Sequence, residues 1–158
     1  MQVEYHWLGN SNMNETIQHF TRPGRLALVG ASNKPNSFGW AAYTTLKQKG
    51  YEIYPVNPNY AEIAGDRCYK SISELPLGVE SAVFMLSPVA AEQVVAEARA
   101  AGIKRIWFQQ GAKYDSAIKA AQDVGLKVVS RRCILMYAEP VTSIHAFHRF
   151  FARLFGRL

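Results

Sequence analysis

Two hydrophobic rhythms alternate along this chain. Short, nearly continuous apolar runs at 25–29, 51–56, 81–86, 104–109 and 127–130 predict buried strands. Between them, segments 40–49, 89–101 and 116–124 carry their apolar residues on one face and predict helices. In the first of these, Ala41, Ala42, Thr45 and Leu46 form the inward face. Gly50, Gly102 and Gly125 stand where the three helices should end, and Pro88 stands at the first helical position of the second. Further upstream, 14–20 predicts a short helix capped by Asn14, with Ile17 and Phe20 inward, and Arg22-Pro23-Gly24 ends it. Gly65-Asp66 marks a turn, and 71–76 reads as one capped helical turn.

Strand and helix alternating in this way predict an α/β domain: a doubly wound, mostly parallel sheet of Rossmann-like type with helices on both faces. Ligands of such sheets bind beyond the C-terminal strand ends, here Gly30, Val56, Leu86, Gln109 and Ser130. The site is therefore expected on loops 30–39, 56–60, 86–88 and 110–114. The first is the most informative. Gly30 lets backbone approach a ligand, and the helix that opens near Gly39 points amide donors and the positive end of its dipole at an anion.

The dinucleotide fingerprint G-x-G-x-x-G is not met, because Ser32 replaces the second glycine and the next glycine is Gly39. No Gly-Lys-Ser/Thr follows, so the turn is not a P-loop either. The end of the second strand, Val56-Asn57, lacks the acid that holds the ribose of NAD. A small NAD(P)-linked oxidoreductase or redox sensor is thus the second reading rather than the first.

Composition narrows the classes. With 158 residues, 49% hydrophobic and 19% charged, the chain is an ordinary globular domain. No apolar run nears the roughly 18 residues of a membrane span. No signal-peptide core opens the chain, and Cys68 and Cys133 lie far apart outside any C-x-x-C; a cytoplasmic protein without a metal site is expected. The net charge of +6 suits an anionic partner. Nucleic acid is not expected, for want of a stacking platform, helix-turn-helix or zinc pattern. Arg25 and Lys34 are placed to meet a phosphate-rich cofactor.

Three segments follow: an N-terminal extension with its short helix (1–24), the α/β domain (25–139) and a basic amphipathic helix (140–158). In the last, Ile144, Phe147, Phe151, Leu154, Phe155 and Leu158 form a stripe, with His145, His148, Arg149, Arg153 and Arg157 mostly off it. That stripe is expected to pack on its own domain or on a second copy, which would give a homodimer, ahead of lying on a membrane surface. No catalytic constellation emerges. The histidines sit in terminal segments, Cys133 reads as a packed small residue, and the carboxylates are scattered.

Val29-Gly30-Ala31-Ser32 with Lys34-Pro35, then Gly50-Tyr51 and Pro55-Val56-Asn57-Pro58, then Trp107-Phe108-Gln109-Gln110-Gly111 and the run from Gly125-Leu126 to Cys133, resemble the small CoA-binding proteins. These are similar to the first domain of the succinyl-CoA synthetase alpha subunit. The resemblance implies that Gly30, Ala31, Ser32, Lys34 and Pro35 line the CoA phosphates. It implies further that Val56, Asn57 and Pro58 flank adenine and ribose, and that Leu86, Ser87 and Pro88 form the opposite wall. Gln110 falls where the synthetase has a glutamate. The synthetase works through a histidine in a further domain, so its ligase chemistry is not expected here. The expectation is a protein that binds CoA or an acyl-CoA and has no catalysis of its own.

Overall fold

The computed structural model describes residues 10–139. The expected C-terminal helix at 140–158 lies outside them. Five parallel strands form the central sheet: β1 (Arg25–Val29), β2 (Glu52–Val56), β5 (Ser81–Phe84), β6 (Arg105–Gln109) and β7 (Lys127–Arg132). Their spatial order is β2-β1-β5-β6-β7. The direction of winding reverses after β2, so the ends of β1 and β5, adjacent in space, diverge toward opposite connections. That is the position where doubly wound sheets open a crevice.

Alternation along each strand divides the core into two layers. Leu26, Leu28, Val83, Trp107 and Val129 face α1 (Asn10–Thr21), α2 (Phe38–Gln48) and α5 (Ile134–Tyr137). Ala27, Val29, Ala82, Phe84, Ile106 and Phe108 face α3 (Pro88–Ala100) and α4 (Asp115–Asp123). The helices on this second face meet the sheet through Ala91, Val95, Ala98, Ala117 and Ala121, all buried. Small side chains there bring the helix axes close to the strands.

Several expectations need correction. The first helix begins at Asn10, which places Asn14 inside it rather than at its cap; Thr16 and Phe20 are its buried residues, and Ile17 is only half-buried. Thr16 hides its hydroxyl by donating to the Asn12 carbonyl one turn back (2.8 Å), which makes a polar residue acceptable inside. On α2 it is Tyr43, not Thr45, that completes the buried face. The phenol finds Asp66 as a partner, which allows burial of the ring. The last strand runs on to Arg132 through an irregular register between Trp107 and Gln109, with Arg131 at φ 58°.

The largest departure is the excursion after β2. Instead of one turn, it holds a two-stranded hairpin, β3 (Glu62–Ile63) with β4 (Asp66–Arg67), closed by Ala64 and Gly65. Both turn residues have positive φ, 51° and 84°, the requirement of a tight type I′ turn. The excursion then returns along β2: Tyr69 donates to the Pro55 carbonyl and accepts from Asn57 N–H, each at 2.9 Å. This pairing delivers Lys70, Ser71 and a 3-10 turn at Ile72–Glu74 to the open end of the sheet.

Candidate functional site

Gly30 ends β1 with φ 92°, and its N–H donates to the Val56 carbonyl at 2.9 Å. A Cβ at this position would lie 2.5 Å from the Met85 carbonyl oxygen. Glycine is therefore demanded twice, by backbone conformation and by the close passage of the chain leaving β5. Gly39, in the first turn of α2, has a different reason. A Cβ there would come within 2.9 Å of both the Gly30 oxygen and the Ser32 nitrogen. The helix start is thus packed directly on the turn that precedes it.

Internal hydrogen bonds fix that turn. Ser32 Oγ accepts from Lys34 N–H (3.1 Å); Ser37 Oγ donates to the Lys34 carbonyl (2.7 Å) and accepts from Trp40 N–H (3.2 Å), capping α2. The Lys34 side chain and Pro35 are exposed at its tip. Ala31 is fully buried and reaches the site only through its backbone. Its carbonyl accepts from Asn57 Nδ2 at 2.8 Å, while Asn57 Oδ1 accepts from Asn59 N–H at 2.9 Å.

Beside this turn lies a cavity of about 340 Å³ at the β1/β5 crevice. Gly30, Val56, Asn57, Pro58 and Leu86, all singled out from the sequence, line it. Ser87 and Pro88 stand next to it as cap and first residue of α3; Ser87 Oγ accepts from Ala90 N–H at 3.3 Å. Ala31, Ser32, Lys34 and Pro35 lie on the adjoining turn, outside the cavity lining. Gln110 is not brought to this cavity. It lines a separate recess beyond β6 and β7, with Arg131, Arg132 and Met136.

Six lining residues escaped the sequence reading: Lys70, Ser71 and Ile72 from the excursion, and Ala90, Val94 and Glu97 from α3. Lys70 Nζ donates to the carbonyls of Pro58 (3.1 Å) and Tyr60 (3.3 Å). Glu97 Oε1 accepts from Ser73 N–H at 2.9 Å, which ties α3 to the 3-10 turn. Glu97 thus brings a carboxylate that the end of β2 does not supply. The helical spacing of Ala90, Val94 and Glu97, all on one face of α3, is the signal that would have found it.

The walls are mainly apolar, from Val29, Val56, Ile72, Leu86 and Val94, with a few polar groups at the rim. This is the make-up of a small-molecule site. Among the described residues no histidine or cysteine lines it, and none forms a cluster suited to a metal ion. His19 lies at the opposite end of the sheet, its pKa lowered by burial and by nearby Arg105. Cys68 is buried with its thiol pKa pushed up by burial, and Cys133 is buried at the start of α5.

Residues 24–139 match the model of the CoA binding domain family. The chain belongs to that family. Over 129 residues it is 26% identical to the alpha subunit of acetate–CoA ligase (ADP-forming) II of Pyrococcus furiosus, covering 75% of this chain and 28% of that one. It spans only 11–28% of the length of the first curated relatives it matches. Small solved proteins are matched over nearly their whole length. A conserved hypothetical protein from Pyrococcus furiosus is 43% identical, with a TM-score of 0.67 over 70% of this chain and 95% of that one. A hypothetical protein from Pyrococcus horikoshii is 33% identical, with a TM-score of 0.72 over 85% and 94%. The match to the CoA-binding family begins one residue before β1 and ends with the last described residue, so it takes in every loop of the crevice. Among the described residues no helix is long and apolar enough to cross a membrane.

Proposed function

We propose that this CoA-binding domain holds CoA or an acyl-CoA across its strand ends and carries out no bond-making step of its own. The observation that carries the reading is the position of the cavity: it opens at the strand-order reversal, inside the segment matched by the family. Adenine and ribose lie between Val56, Asn57 and Pro58 on one side and Leu86, Ser87 and Pro88 on the other. The pyrophosphate meets the turn of Gly30, Ala31, Ser32, Lys34 and Pro35, at the positive end of α2. From there the pantetheine arm runs along the sheet edge toward Gln110. Two strand spacings, about 10 Å, separate β5 from β7, well within the reach of such an arm.

Preorganisation supports the same reading. Two serine hydroxyls already hold the turn, and Asn57 already ties it to the loop after β2. Little ordering is then left for the ligand to drive. The chemistry of the thioester belongs to whatever enzyme uses the bound cofactor. A cytoplasmic location follows from the same reading, since that is where such a cofactor circulates.

Calorimetric titration with CoA, acetyl-CoA, NAD and NADP tests the proposal. Micromolar CoA or acetyl-CoA binding without an NAD signal is expected. Binding of NAD or NADP in preference to CoA would replace it with the oxidoreductase reading. Lys34→Glu should weaken CoA tenfold or more, since a charge-assisted phosphate contact contributes about 1.5–3 kcal/mol.

A further inference from the structure

The two lysines at this site do not stand in the same place. Lys34 is at the tip of the turn after β1, outside the cavity; Lys70 lines the cavity itself. Lys70 comes from the excursion after β2, positioned by the pairing of Tyr69 with that strand. Its ammonium group donates to two carbonyls, Pro58 and Tyr60, and an ammonium has three N–H bonds. One donor therefore remains for a ligand. Among the described residues no carboxylate lies within ion-pairing distance of Lys70, although Glu97 lines the same cavity. Two backbone carbonyls orient the charge but do not neutralise it.

Resting on the CoA reading above, we infer that Lys70 recognises a phosphomonoester on the ribose, distinct from the pyrophosphate met at Lys34. The apolar walls, Val56, Ile72 and Leu86, suit a flat base. A base seated there puts its ribose at the mouth, beside Asn59, Lys70 and Ser71. The ligand class is an adenosine nucleotide with a pyrophosphate at one ribose carbon and a monoester at another. Lys70 is then a specificity-determining residue, and the hairpin excursion exists in the site to deliver it.

The test compares CoA with 3′-dephospho-CoA, which lacks only the monoester, on the wild-type protein and on Lys70→Gln, Lys70→Arg and Lys34→Gln. The wild type should prefer CoA by tenfold or more. Lys70→Gln should lose about that factor for CoA and change less than about twofold for 3′-dephospho-CoA, collapsing the preference. Lys70→Arg should retain the preference, and Lys34→Gln should weaken both ligands alike. Equal wild-type affinity for the two, or a Lys70→Gln variant that keeps its preference or weakens both ligands equally, would overturn the assignment while leaving CoA binding intact. A wild-type protein that binds neither ligand would overturn the CoA reading itself, and the assignment with it. Should Lys70→Gln not fold, the wild-type preference and the Lys70→Arg titration still decide.

Discussion

The Asn57 side chain bridges the two loops of the crevice, giving its amide hydrogen to Ala31 O and accepting from Asn59 N–H. An asparagine read from sequence as a ligand contact is thus first of all a clamp. Asn57→Ala removes both bonds and leaves the buried Ala31 carbonyl without this partner. We expect a loss of about 1–3 kcal/mol in urea unfolding, with CoA affinity falling as well because the turn loosens. Unchanged stability would show that the clamp is idle.

Gly30→Ala tests the same junction from the other loop. The added methyl meets the Met85 carbonyl at 2.5 Å and holds alanine at φ 92°. Strain and displacement together should cost about 2–4 kcal/mol, and the distortion should reach the cavity because Leu86 follows Met85. Loss of CoA binding accompanied by a lowered melting temperature is the expected pair of results.

Among the described residues, two with side chains sit in left-handed backbone, Ala64 and Arg131. Substituting glycine relieves about 1–2 kcal/mol of strain and costs roughly 0.5–1 kcal/mol through the freer unfolded chain. Ala64→Gly should therefore leave stability unchanged or raise it by up to about 1.5 kcal/mol. Because the hairpin delivers Lys70, its CoA affinity should stay as it was. A destabilised Ala64→Gly would contradict the type I′ assignment.

Stability should decline in alkali. Burial raises the pKa of Tyr51 well above its ordinary value of 10, with Glu139 adding to the effect, and burial also raises that of Tyr114. Their protonated forms are favoured in the folded state. The stabilising contribution is whole below about pH 10 and is lost as pH climbs through the raised folded values. Tyr51 donates to the Phe20 carbonyl at 2.8 Å and Tyr114 to that of Leu86 at 2.7 Å. Tyr51→Phe should cost about 1 kcal/mol near neutrality and flatten the alkaline fall, read by urea unfolding at several pH values.

Most of the fold was legible because strong local signals agreed with it: apolar runs for the strands, Ser87-Pro88 and Gly50 for helix ends, and Gly30 for the switch point. The excursion at 57–71 was not, since each of its strands is two residues long and carries no periodicity. With it went Lys70, Ser71 and Ile72, which bring a cation, a hydroxyl and an apolar wall to the cavity. Glu97 was hidden for another reason: it reaches the site from two and a half turns inside α3, whereas strand-end reasoning looks only at loops. Gln110 shows the converse limit. It is at a strand end, yet the separation of the strands carries it into a different recess.

The central claim, that CoA occupies the β1/β5 crevice, is tested most directly by mapping amide chemical-shift changes on 15N-labelled protein at saturating CoA. The account predicts that the largest changes fall on Gly30, Lys34, Asn57, Lys70 and Ala90, while Glu15, His19 and Arg105 at the opposite end of the sheet stay still. Changes centred on that opposite end, or none at the crevice under saturating CoA, would contradict it.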